Sequence, residues 1–132
     1  MTRRKTVSVW MIVLGVVIAV TAAGLAWAYL APGNANAGDT TKLGVTFTAE
    51  EQRTIDEVVV TPDELAAATC HDGASCWIAV DGVVYDMSGF PAWLRGRHHG
   101  VQAGTDATDA FVRSGHGRSV LEKMPVVGRL GS

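Results

Sequence analysis

The stretch Ala103-Gly104-Thr105-Asp106-Ala107-Thr108-Asp109-Ala110-Phe111, running through Val112 and Arg113 to Ser114-Gly115-His116, decides how the chain folds. Thr105 or Asp106 is placed to cap a helix, Ala107, Ala110 and Phe111 share one of its faces, and Gly115 ends it just before His116. Gly117 then opens a second short helix, which carries Val120, Leu121 and Met124 on its inner side and stops at Pro125. His116 therefore stands at the corner of a helix pair. On spacing alone a lone histidine in such a place is more often a surface or core residue than a ligand.

Upstream of this pair, Trp93-Leu94-Arg95-Gly96-Arg97-His98-His99-Gly100 holds two histidines between glycines with neither helical nor strand periodicity, the pattern of a loop. Before it, Cys76-Trp77-Ile78-Ala79-Val80 and Val83-Val84-Tyr85-Asp86-Met87 are strand-like runs joined by Asp81-Gly82, the pair a type I′ hairpin favours. Thr61-Pro62-Asp63-Glu64-Leu65 begins a short helix that the spacing carries through Ala68: Thr61 caps it, Pro62 suits the first helical position and Glu64 completes a capping box. Val58-Val59-Val60, apolar and β-branched, predicts a short strand.

Cys70 and Cys76 bracket the turn His71-Asp72-Gly73-Ala74-Ser75. A disulfide between them is the preferred reading for an exported domain. A zinc site using Cys70, His71 and Cys76 is the alternative, although no fourth ligand stands at ordinary spacing.

From Val7 to Ala31 the chain has no charged residue and is mostly apolar, long enough to cross a hydrocarbon core of about 30 Å as a helix. Arg3, Arg4 and Lys5 precede this run and no basic residue follows until Lys42, which puts the N-terminus in the cytoplasm and the rest outside. A cleaved signal peptide is the competing reading, with Ala35-Asn36-Ala37 as its cleavage site; the apolar run exceeds an ordinary signal's 7–15 residues, which favours an anchor. Residues 1–6 are then cytoplasmic, 7–31 span a cell membrane once, 32–57 form a linker and 58–132 the folded domain. Pro32 to Thr41, rich in Gly, Asn, Ala and Thr, suits a flexible tether.

A chain of 132 residues has room for one small domain beyond such an anchor. Its net charge of −2 conceals the basic N-terminus and a more acidic remainder, and gives no support for nucleic-acid binding. The four histidines, His71, His98, His99 and His116, all lie in the C-terminal half.

The stretch from Ala103 to Phe111 followed by Ser114-Gly115-His116 resembles the haem-binding signature of the cytochrome b5-like haem/steroid-binding family. Val83-Val84-Tyr85-Asp86-Met87-Ser88 resembles the family's strand just upstream, and Pro125-Val126-Val127-Gly128-Arg129-Leu130 its final strand, so that the likeness covers most of Thr61 to Leu130. The family's first ligand normally opens an H-P-G-G motif. Here the text is His98-His99-Gly100, and the W-x-x-G-x-H-x-G form of Trp93 to Gly100 resembles the compact bacterial variants.

The resemblance implies an α+β fold in which short helices form a haem groove on a small sheet. It implies haem b held non-covalently between His98 and His116, with His99 as a substitute for His98; the C-x-x-C-H motif of covalent attachment is missing. Phe90, Trp93, Leu94, Phe111, Val112, Val120, Leu121 and Met124 are the expected apolar lining, about half of them touching haem. With both axial positions filled by imidazole the iron has no open site, which implies a one-electron carrier with a redox protein partner rather than an enzyme. Arg95, Arg97, Arg113 and Arg118 surround the two histidine corners and suit propionates or an acidic partner. The alternatives are a module that binds haem or a steroid for sensing or delivery, and an interaction domain with no cofactor.

Overall fold

The computed structural model describes residues 34–132, which form a unit of their own. The apolar segment 7–31 lies outside them. Among the described residues no helix is long and apolar enough to cross a membrane.

The sequence signals that depend on local chemistry resolve as expected. Thr61 accepts from the Glu64 amide while the Glu64 carboxylate accepts from the Thr61 amide at 2.7 Å, so helix α2, Pro62–Ala67, begins with a complete capping box. Strands β2, Trp77–Val80, and β3, Val83–Asp86, pair antiparallel with Val80 opposite Val83. Asp81 and Gly82 between them have φ of 52° and 76°, the double left-handed conformation of a type I′ turn. Strand β6, Val126–Leu130, lies between β3 and the two-residue β1, Val59–Val60, giving the order β1-β6-β3-β2 with β1 and β6 parallel and the other pairs antiparallel.

Period-two alternation sends the strand side chains to two cores. Ala79 and Val84 face one side, where they meet Leu65 of α2 and Val60. Ile78, Val80, Tyr85 and Met87 face the other, against Trp93, Phe111, Leu121 and Met124. The latter residues come from a 3-10 turn at Pro91–Trp93, from helix α3, Thr108–Arg113, from helix α4, Arg118–Leu121, and from the turn after it. This second face carries the site.

Three expectations are corrected. Residues 34–57 are not a loose linker: they contain a 3-10 turn at Thr40–Leu43 and helix α1, Ala49–Glu57, and Leu43, Val45, Phe47 and Ile55 pack against the larger core. Helix α1 has its own capping box, Thr48 with Glu51. The helix before His116 has neither expected cap, Thr105 or Asp106, but Ala107 at the N-cap; Asp106 instead turns the chain by accepting from the Thr108 amide at 3.0 Å and hydroxyl at 2.6 Å. The histidine pair is not on an irregular loop, as described next.

Candidate functional site

Arg97–His98 and Val101–Gln102 form a miniature antiparallel ribbon, strands β4 and β5, with His98 opposite Val101. His99 and Gly100 make its turn at φ of 45° and 84°. This double left-handed turn separates the two histidines into different environments: His98 is a half-buried strand residue, His99 an exposed turn residue. The ribbon is fastened at its base, where the Ala103 amide donates to Gly96 O at 2.9 Å and the Gly104 amide to Trp77 O at 2.7 Å. Gly96 itself has φ of 67°, and a Cβ there would stand 2.6 Å from both Thr69 O and the His71 ring, so only glycine fits.

The Trp93 ring lies 5.3 Å from the His98 ring and tilted by 45°, buttressing it from the 3-10 turn. Burial, then the neighbouring His99 and His116, hold the His98 imidazole below its ordinary pKa, which favours its neutral form. A neutral imidazole is the form that binds a metal.

His116 reaches the same place from the opposite wall. Helix α3 ends at Arg113, its C-cap Ser114 donates its amide and hydroxyl to Phe111 O at 3.0 and 2.7 Å, and the His116 amide donates to Ser114 Oγ at 3.2 Å. This places the exposed His116 ring 5.9 Å from the His98 ring, centroid to centroid, with the planes inclined by 26°. Two imidazoles bonded to one metal ion at about 2 Å each, the usual histidine–metal distance, have centroids about 6 Å apart. The pair fits that requirement.

Between the two corners lies an open cleft of about 780 Å³. Of the expected lining residues, Phe90, Trp93, Phe111, Val120, Leu121 and Met124 face it. Leu94 and Val112 are not among its walls: Leu94 caps the 3-10 turn and is 65% exposed, and Val112 follows Phe111 on the helix and so turns to another face. The sheet supplies a floor that sequence reasoning missed, Ile78, Val80 and Met87, with Val101, Ala107 and Ala110 at the sides. The period-two alternation of the hairpin already put Ile78, Val80 and Met87 on one face and is the signal that identifies them. His99 lines the cleft as well as a second, smaller one that it shares with His71, Arg95 and Arg97. Arg113 borders the main cleft, while Arg118 donates to Thr41 O at 2.7 Å.

Cys70 and Cys76 form a disulfide, which rules out their use as zinc thiolates. Among the described residues no group of three or more His, Cys, Asp or Glu side chains is gathered around a metal position. His98 and His116 thus bring two imidazoles together at an apolar cleft, and among the described residues no third side chain of these types completes a metal position with them.

Comparison with known proteins agrees with this geometry. The family described as Cytochrome b5-like Heme/Steroid binding domain matches residues 61–131. The chain belongs to the cytochrome b5-like family. A cytochrome b5 domain protein of Hadesarchaea YNP_N21 is similar at 40% identity and a TM-score of 0.52, over 56% of this chain and 99% of that one. A cytochrome b5 domain protein of Methanococcoides burtonii is similar at 37% identity and a TM-score of 0.53, over 57% of this chain and 99% of that one. No curated protein matches the chain. The cytochrome b5-like match begins at Thr61, so helix α1 and the segment before it precede the family's domain.

Proposed function

We propose that the chain is a membrane-anchored b-type cytochrome that holds haem non-covalently between His98 and His116 and transfers single electrons outside the cytoplasm. The observation that carries this reading is the ring pair, 5.9 Å apart across an apolar cleft, in a chain of the cytochrome b5-like family.

The residues divide the work. His98 and His116 each present one imidazole, and the 5.9 Å between their rings would admit a metal ion carried by a flat macrocycle. Phe90, Phe111, Leu121 and Met124 exclude water from its faces, which retains an apolar group without a covalent bond. Haem bound there supplies a one-electron iron couple. Were His98 and His116 both to bind the iron, no position would be left open on it, which would favour electron transfer over chemistry at the metal. The exposed His116 wall is where a redox protein partner approaches, and Arg113 beside it supports an acidic one. The disulfide and the apolar segment 7–31 support an extracytoplasmic domain on a single span, since disulfides persist in oxidising compartments.

The absorption spectrum of the purified full chain tests the reading. A low-spin spectrum that shifts reversibly with dithionite is the expected result. A chain that binds a steroid but shows no Soret band after incubation with haem would replace the carrier with a binding module.

A further inference from the structure

We propose that Asn34 to Leu43, which lies outside the family's own domain, is a strap that positions the His116 corner, and that Lys42 is its principal positioning residue. The consequence for a bound group rests on the bis-histidine reading; the strap itself does not.

A helix leaves its last carbonyls without intrahelical partners. At the end of α3 the strap takes one such carbonyl, Val112 O, and then those of Ser114 and Gly115, which lead from the helix into His116. The Gly38 amide donates to Val112 O at 2.8 Å, Lys42 Nζ to Ser114 O at 2.9 Å, and Asn36 Nδ2 to Gly115 O at 3.1 Å. The strap also reaches α4 on the other side of His116, where Thr41 O accepts from Arg118. Gly115 and Gly117, which flank His116, are where it passes: a Cβ on Gly115 would collide with the Asn34 side chain, and one on Gly117 would lie 3.6 Å from that of Asn36.

Lys42 is the unusual member. It is 3% exposed, and its ammonium is held by Asn36 O at 2.6 Å as well as Ser114 O, 4.8 Å from the centre of the Phe111 ring. A lysine is almost never this buried unless it is paired, and here its partners are backbone carbonyls of the strap and of the ligand corner. One side chain therefore ties the strap to the approach to His116 and to a wall of the cleft. The strap arrives shaped for this: Asn34 Oδ1 accepts from the Asn36 amide, and Asp39 Oδ1 from the Thr41 amide and hydroxyl.

Were haem held at His116, the Lys42 ammonium, bonded to Ser114 O two residues earlier in the chain and lying 4.8 Å from the Phe111 ring of the cleft wall, would favour the reduced state. Lys42→Met should therefore lower the reduction potential of the haem-loaded full chain, and Lys42→Arg should restore most of it. In the haem-free full chain, Lys42→Met should speed amide exchange across residues 36–44 and 112–117 by about tenfold or more, the loss of charge-assisted hydrogen bonds. Asn36→Ala removes only a half-buried side-chain amide and guards against misfolding of the lysine variant; it should release haem severalfold faster to an apo-globin acceptor with an unchanged far-ultraviolet spectrum. Unchanged exchange in Lys42→Met, or an unchanged haem-release rate in Asn36→Ala, would overturn the strap. An unchanged potential in a folded Lys42→Met chain would remove the electrostatic role of Lys42 at a bound haem. Since exchange is read without haem, failure of the haem reading leaves the strap testable by itself.

Discussion

The rings of His98 and His116 face one another at 5.9 Å from elements of different kinds, a two-residue strand and the turn between two short helices. Neither carrier is stable alone: the ribbon of β4 and β5 hangs on backbone bonds to Gly96 and Trp77, and the helical corner is closed by Ser114. The separation is therefore a property of the assembled domain. On the proposed bis-histidine ligation, removing either ring would leave one protein ligand, too few to keep both axial positions filled. His98→Ala and His116→Ala are each expected to abolish the low-spin spectrum of the haem-loaded chain, whereas His99→Ala should retain it. An intact spectrum in His98→Ala with loss in His99→Ala would reverse the ligand assignment.

His99 offers a separate test because its backbone is set by the turn. At φ of 45° a β-branched side chain costs about 1–2 kcal/mol, whereas glycine and asparagine are tolerated. His99→Val should lower the stability of the chain by about that amount, and His99→Asn should leave it nearly unchanged. Urea unfolding midpoints distinguish the two. Equal midpoints would mean that the turn is not held left-handed in solution.

The buried Tyr85 should set the alkaline limit of stability. Burial first, with Asp81 and Glu51 adding negative potential, raises its phenol from 10.0 to about 12. A raised folded pKa means that the fold favours the neutral phenol. Its contribution is fully present below pH 10, is lost progressively as the pH rises from 10 toward 12, and is on the order of 2 kcal/mol for a side chain only 1% exposed. Tyr85→Phe should flatten this decline. Identical alkaline unfolding of the two proteins, followed by circular dichroism, would assign the limit to other groups.

Signals confined to a few neighbouring residues were legible in the sequence. Asp81-Gly82 and Thr61-x-x-Glu64 are self-contained, since the turn and the cap are satisfied by atoms within the motif. Helix α1 carries the same cap grammar in Thr48 and Glu51, but Glu50, Glu51, Gln52 and Arg53 bury nothing and read as a solvated linker. Its place comes from Phe47 and Ile55 packing on a core built far away in the chain. Strands β4 and β5 are too short to show any period, so the sequence ranks His98 ahead of His99 only through the family resemblance, and the strand pairing that puts one on a strand and the other in a turn is not legible in it. Lys42 is the extreme case: a charged residue is normally exposed, and only the carbonyls of Asn36 and Ser114 make its burial tolerable.

The Cys70–Cys76 disulfide supports the His98 wall at one remove. It closes a loop with a sequence separation of six, and Thr69 bridges Cys76 at its base. Gly96, which accepts from Ala103 to close the His98 ribbon, packs against Thr69 O and the ring of His71, both set by that loop. A loop this short loses modest entropy on cross-linking, so reduction should cost about 2 kcal/mol of stability rather than abolish folding. Reduced chain, or the double variant Cys70→Ser with Cys76→Ser, should unfold at lower urea while still showing two protein ligands to haem. Haem release should also quicken in the reduced chain, because the ribbon loses its backing and not its ligand. If reduction leaves both the urea midpoint and the release rate unchanged, the loop is held by its backbone bonds alone, chiefly that from the Cys70 amide to Ser75 O at 2.9 Å.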